Sequence, residues 1–438
     1  MRELKELADE MTAARLPDDL WSVGRKLRRR RRVGYALAAV LVLVLAVTLP
    51  EWAAHRRAAI VPADRPGAVP SRVEIPHLWQ AAVGQFPAGA GGPAALVFFT
   101  GKTRYLEGTG VAVGVNGSYR LIYQDIGEGD GVLAPDGRSY VRPGMRMLDL
   151  TTGDERQLSG APTRGYPLAW SPDGAELLIG VSNDSEGVLY GDDAIPDEDP
   201  EKPDDLVAID VRTGERRFVA VGRLNSYTTA AWSPDGTQIA VDGPTGRGDV
   251  GRRLSVMDAR TGAPLWTVDN FAPDRKLAGR AAWTPDGGLL AILGFEGCAN
   301  ACDQAAEDAR RWRLDLVDAG TGDIVAQPVP IDGVPDEVVG WRGGRDAVLT
   351  YTPNRAERDR RTIVALGPSG VVDTLVDTPP GVYNLEVAES LLRSGSFGGA
   401  PATPSIWAAP AWAYVIAAAP FLLLLWVFRR RRRRHRRV

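Results

Sequence analysis

The sequence predicts an all-β protein built from copies of one four-stranded sheet, and three observations predict it. Trp-Ser-Pro-Asp-Gly stands at 170–174 and again at 232–236, with a near copy, Trp-Thr-Pro-Asp-Gly, at 283–287 and a weaker Ala-Pro-Asp-Gly at 134–137. A second motif, Asp-x-x-Thr-Gly, interleaves with the first at 149–153, 210–214, 258–262 and 318–322. Short apolar runs separate the two. Self-similarity at a spacing of tens of residues signals stacked copies of one supersecondary unit.

The first motif reads as a tight hairpin. Pro135, Pro172, Pro234 and Pro285 pre-set φ for the second position of a type I turn. Asp136, Asp173, Asp235 and Asp286 bond nearby backbone, and Gly137, Gly174, Gly236 and Gly287 supply the left-handed residue that closes a short loop. Trp170, Trp232 and Trp283 end one apolar run, and Leu177, Ile239 and Leu289 begin the next. These runs are too brief for helices and are bounded by turn residues, so they are strands. Asp149, Asp210, Asp258 and Asp318 are structural, bonding the turn backbone beside Thr-Gly. One unit is therefore strand, Pro-Asp-Gly turn, strand, variable loop, strand, Thr-Gly turn, strand, which is a β-propeller blade.

Five units start near 131, 167, 229, 280 and 338; the fifth departs from the pattern, Trp341 being followed by Arg-Gly-Gly-Arg. The paired motifs resemble the TolB-like, WD-like β-propeller repeat over roughly residues 94–392. The stretch 94–123 and the strand 382–387 would form a closing blade from both chain ends. Six blades are expected, with seven the alternative. Closure hides the sheet edges that an open array exposes.

Two apolar stretches flank the repeats. Residues 33–50 carry no charge and follow a basic cluster at 25–32; residues 406–428 carry no charge and precede the basic tail 429–438. Both have the length needed to cross roughly 30 Å of hydrocarbon. The positive-inside rule then places both termini in the cytoplasm, giving a two-span cell-membrane protein with its propeller outside. The expected division is a cytoplasmic helical segment 1–32, a span 33–50, a linker 51–93, the propeller 94–392, a linker 393–405, a span 406–428 and the tail 429–438. A cleaved signal peptide is the alternative for the first span. Arg and Ala abound while Lys is scarce, a bias that points to a GC-rich, actinobacterial source.

The net charge of −3 conceals segregation: residues 51–405 hold 34 Lys and Arg against 49 Asp and Glu. An acidic surface of that kind argues against a nucleic-acid partner. The lipid bilayer is an expected partner of the basic clusters. Cys298 and Cys302 are the chain's two cysteines and are expected to form a disulfide, since an oxidising compartment permits one. Two thiols without nearby His fall short of a structural zinc set, so no metal site is expected.

Catalysis finds little support. The three His residues, His55, His77 and His435, all lie outside the repeats. A Ser-His-Asp or Cys-His site has no base there. No specific pair of carboxylates stands out. Residues 258–266 resemble the tryptophan-docking repeat of quinoprotein propellers, but Trp266 occurs there once, and a core Trp is the commoner role. No cofactor and no enzymatic activity are expected.

Loop lengths point to a binding face. The connection between the second and third strands of a unit expands to 182–205 in the second unit, 294–311 in the fourth and 352–361 in the fifth. Long insertions on one face of a repeat array mark a binding surface. The 182–205 loop is acidic; calcium or a cationic ligand is one reading, a solvated loop the other. At the N-terminus, Leu4, Leu7, Ala8 and Met11 share one helical face, and Leu20, Trp21, Val23 and Leu27 fall in a second helix. The expected function is a non-enzymatic binding or scaffold module for a protein, peptide or glycan outside the cell. The alternative is a transmembrane regulator, similar in layout to anti-sigma factors, that engages a cytosolic protein through residues 1–32.

Overall fold

The computed structural model describes residues 68–76, 80–84, 92–100, 109–122, 131–162, 165–181, 205–221, 228–244, 252–299, 302–353 and 360–405, with a few between 413 and 429. All of them belong to one compact unit, Ala63–Val438. Among the described residues, twenty-four strands form six four-stranded antiparallel sheets.

Blade 2 holds β4 (Val132–Leu133), β5 (Ser139–Arg142), β6 (Arg146–Asp149) and β7 (Glu155–Gln157). Blade 3 holds β8 (Gly165–Trp170), β9 (Glu176–Val181), β10 (Asp205–Asp210) and β11 (Arg216–Val221). Blade 4 holds β12 (Thr229–Trp232), β13 (Gln238–Pro244), β14 (Arg252–Asp258) and β15 (Pro264–Phe271). Blade 5 holds β16 (Arg275–Leu277), β17 (Leu289–Glu296), β18 (Arg311–Asp318) and β19 (Val329–Ile331). Blade 6 holds β20 (Val334–Arg342), β21 (Asp346–Thr352), β22 (Thr362–Leu366) and β23 (Val372–Val376).

Blade 1 closes the ring from both ends of the chain. Its sheet runs β24 (Val382–Val387), β1 (Ala94–Thr100), β2 (Thr109–Gly114), β3 (Tyr119–Ile122). Leu96 pairs with Val387 and Thr100 with Val382. The propeller therefore has six blades.

The core is a ring of interblade clusters. Leu96 and Phe98 of blade 1 pack with Val348 and Ile363 of blade 6. Phe99 packs with Tyr140 and Leu148 of blade 2, and Trp170 and Ile179 of blade 3 pack with Val132 and Val141. Strands enclosed between two neighbouring blades bury side chains on both faces, as β1 and β2 do along their whole length. Two more segments stitch the ring: Arg72 pairs with Asp377 at 3.1 Å, and Gly399 N–H donates to the Val69 carbonyl while Val69 N–H donates to that of Ser396. Past β24, a short helix α2 (Glu389–Arg393) crosses the mouth of the ring, Leu392 resting on Gly340. Another short helix, α1 (Gln304–Asp308), lies in the β17–β18 connection.

The two-span, cell-membrane placement is corrected here. Crossing about 30 Å at about 1.5 Å per residue takes a continuous apolar helix of some twenty residues. Among the described residues no helix is long and apolar enough to cross a membrane. Residues 33–50 lie outside the described residues, and from 406–428 the described helical residues are Ala413, Ala419, Pro420 and Leu423 to Val427. The assignment of faces to cytoplasm and exterior goes with that placement; the flanking transmembrane helices are not seen among the described residues. Residues 1–32, expected to dock a cytosolic protein, also lie outside the described residues.

Candidate functional site

Strands alternate in direction, so each blade presents its first and third turns on one face and its β-strand 2–3 connection on the other. The Pro-Asp-Gly and Thr-Gly turns share the first face. Ser171, Ser233 and Thr284 each donate a side-chain hydrogen bond of 2.6 Å to Asp173, Asp235 and Asp286. Those carboxylates also accept the backbone N–H of Ala175, Thr237 and Gly288, and Asp136 accepts that of Arg138. Hydrogen bonding holds the Asp173, Asp235 and Asp286 carboxyls below the usual carboxylate range, led by the hydroxyl in each case. Asp149, Asp210, Asp258 and Asp318 accept in the same way from the Thr-Gly turns, Asp318 from Gly320 and Thr321.

Three of the repeat tryptophans link blades. Trp170 donates from Nε1 to the Val132 carbonyl at 3.3 Å, Trp283 to Ala231 at 3.1 Å and Trp341 to Ala281 at 3.0 Å. Trp232 is buried in the same position, yet its Nε1 has no hydrogen-bond partner. Trp266 donates to the Ala319 carbonyl of the next blade at 2.7 Å, a structural role. The four repeat tryptophans line a cavity of about 360 Å3 at this mouth, closed on one side by Leu392 and Arg393 of α2.

A second cavity, about 310 Å3, opens on the opposite face. Every blade contributes at least one inner-strand residue to it, among them Val132, Leu168, Thr229, Lys276, Glu337 and Glu386. The face is that of the long connections, since Arg275 at the start of β16 pairs with Gly294 near the end of β17. Of those connections, 182–204 and 354–359 lie outside the described residues. The blade 5 connection carries α1 and a Cys298–Cys302 disulfide, braced by Arg310, whose Nε donates to the Cys298 carbonyl at 2.9 Å.

Arg280 divides the two cavities and lines both. It stands there because the inner strand of blade 5 is interrupted. Ala278 N–H donates to the Ala291 carbonyl at 3.0 Å, and Ala291 N–H donates to the Ala282 carbonyl at 2.8 Å. Five residues, Ala278 to Ala282, thus oppose the single residue Ala291, an enlarged bulge that re-aims a side chain. Gly279 takes φ +128°, and a β-carbon there would lie 2.7 Å from Glu337 Cβ. The bulge sends Arg280 across the channel to Glu386, Nη1 to Oε2 2.9 Å, while Nη2 lies 3.4 Å from Glu337 Oε1. Leu133 N–H donates to Glu386 Oε2 at 2.5 Å.

Burial pushes the Glu386 carboxyl up to about 7, and the Glu337 charge adds to it; Arg280 and the Leu133 N–H pull the other way. Asp242, likewise enclosed, is pushed up by burial against the pull of Arg252. At the rim, Lys276 Nζ donates to the Asp336 carbonyl at 2.8 Å. Among the described residues no group of three or more His, Cys, Asp or Glu side chains is placed to hold a metal ion.

The expected turn residues are thus gathered on one face and engaged in turn and interblade bonds. Arg280, Glu337 and Glu386 were not among the residues singled out from sequence. One signal was present: three residues before the repeat Trp stand Pro167, Thr229 and Val338, but Arg280 before Trp283.

No family model matches the chain. Coronin-7 of Mus musculus and of Rattus norvegicus are each 28% identical over 156 residues, 36% of this chain and 14% of those proteins. Among solved structures, TolB from Acinetobacter baumannii matches 69% of this chain and 68% of its own at a TM-score of 0.47 and 15% identity. An oligogalacturonate lyase in complex with manganese matches 62% of this chain and 71% of its own at 0.40 and 15% identity. A putative TolB from Agrobacterium tumefaciens matches 67% and 98% at 0.38 and 14% identity.

Proposed function

We propose that the chain is a non-enzymatic binding module, and that its ligand is a peptide segment of a partner protein entering the channel from the face of the long connections. The observation that carries this reading is the cavity of about 310 Å3 to which all six inner strands contribute. Its volume falls in the range of ligand pockets, roughly 300–1,000 Å3. Apolar walls from Val132 and Leu168 alternate with Thr229, Glu337 and Glu386, a mixture that suits an extended backbone with one or two anchoring side chains. Arg280 binds two of the three cavity carboxylates, which leaves neither Glu337 nor Glu386 without a partner and favours recognition over proton-transfer chemistry.

The test is a random-peptide display selection against the full-length chain and against Thr229→Trp, which fills the cavity from β12. The wild type is expected to enrich peptides that the variant does not bind. Equal enrichment by both proteins would discard the channel as the site.

A further inference from the structure

We infer that the ligand presents an ammonium group to the Glu386–Arg280–Glu337 cluster at the inner end of the cavity. This rests on the reading of the cavity as the peptide site and adds the chemistry of the anchoring side chain. The argument is one of charge balance in a confined space. Two carboxylates, Glu386 and Glu337, share one guanidinium. The other carboxylates around the cluster are already paired. The Asp336 carboxylate pairs with Arg361 at 3.4 Å, and Glu389 of α2 pairs with Arg393 at 2.8 Å. Lys276 is half-buried at the rim on the Asp336 carbonyl, and its charge acts on Asp242 and is not among those that shift Glu386. From β4, β8 and β12 the cavity receives Val132, Leu168 and Thr229, none of them charged.

The cluster, with Glu386 enclosed and Glu337 half-buried, therefore carries one negative charge in excess when both carboxyls are ionised. An anionic ligand would add a third negative charge where water is scarce, at a cost that rises as the dielectric falls. A cation removes the excess. At present a proton does that work: the Glu386 carboxyl, fully enclosed, holds its proton up to about 7. An ammonium entering beside Arg280 takes the place of that proton, and the proton leaves to solvent. A second guanidinium, which needs a planar two-pronged approach, fits less well than a compact ammonium, since Arg280 already reaches both carboxylates with Nη1 and Nη2.

Calorimetric titration of the full-length chain with cadaverine, and with glutarate as a probe of equal length and opposite charge, tests this. Cadaverine is expected to bind saturably and glutarate not. Titrations in two buffers of different ionisation enthalpy should show proton release at pH 7. Binding should be about tenfold tighter at pH 8 than at pH 6, because the ionised fraction of a group titrating near 7 changes by that factor. Glu386→Gln should abolish the pH dependence. Glu337→Gln, a change at a half-exposed side chain that spares the fold, should weaken cadaverine at least fivefold. Silence with cadaverine, binding of glutarate, or cadaverine binding that ignores pH and Glu337→Gln would each overturn the inference. Peptides enriched by the wild type with no preference for Lys would do the same while leaving the peptide site standing.

Discussion

Arg280 Nη1 lies 2.9 Å from Glu386 Oε2 and so ties blade 5 to blade 1 through the middle of the channel. The bond joins a residue displaced by a bulge to one on the strand that closes the ring. It makes the channel's polar cluster part of the ring closure, and it gives stability a pH signature.

That signature has a definite sign. Glu386 titrates at about 7 when folded against an ordinary 4.5, so the folded chain binds this proton more tightly than the unfolded one. A raised carboxyl destabilises as pH climbs between the two values, and the loss levels off above the higher one. The expected contribution is about 3 kcal/mol lost between pH 4.5 and 7. Glu386→Gln should remove that slope from denaturant-melt stabilities measured across the range. An unchanged slope in the variant would mean that Glu386 does not titrate there.

The tryptophans offer an internal comparison. Trp283 Nε1 donates to Ala231, whereas Trp232 Nε1 donates to nothing, and both rings are buried. Trp283→Phe should therefore cost about 1 kcal/mol more than Trp232→Phe, the net worth of one buried hydrogen bond. Urea midpoints of the two variants check this; equal losses would contradict it.

Much of this layout is legible in the sequence, and the reason is turn chemistry. Pro172, Asp173 and Gly174 each restrict the backbone in a way that only a tight hairpin satisfies, and the pattern recurs in register at Pro234 and Pro285. The closing blade is legible too, since the runs 94–123 and 382–387 lack a complete unit of their own. The polar centre is not. Glu386 in Val382–Val387 looks like the outward member of an alternating strand. An innermost strand has no outward face, so that side chain enters the channel. The bulge at Ala278 to Ala282 is invisible for a related reason: it shows only once Ala291 is known to pair on both sides of it. The apolar stretches read as membrane spans rested on length and hydropathy, which measure composition and not helical continuity.

Gly340 is a site of close approach. A β-carbon there would come within 2.6 Å of Leu392 Cδ1 and 2.9 Å of Leu392 Cβ. Gly340→Val is expected to lift α2 from the channel mouth and to cost about 1–3 kcal/mol, the usual range for overpacking. Hydrogen exchange should show faster amide exchange at Ser394 and Gly395, whose N–H groups bond Ser390 and Leu392. Unaltered exchange there would show that the helix accommodates the added methyls.

The turn carboxylates predict behaviour in acid. Asp173 and Asp235 are held below their ordinary range, so their stabilisation is present above the unfolded value and fades as pH falls through the folded one. Ser233→Ala removes the hydroxyl that leads the effect at Asp235 and also bonds Gln238 N–H. It should cost about 1 kcal/mol at pH 7 and less below pH 3. Equal costs at both values would remove the carboxylate from the account.

The channel as binding site has a direct test, because both native cysteines are held in the Cys298–Cys302 disulfide and none is free. Thr229→Cys places a single free thiol in the cavity, and Thr152→Cys places one on an exposed turn of the opposite face. Alkylation by N-ethylmaleimide is followed with and without a peptide selected by the wild-type chain. Channel binding predicts that the peptide slows modification at position 229 at least tenfold and leaves position 152 unchanged. Equal rates at position 229 with and without a saturating peptide would contradict it.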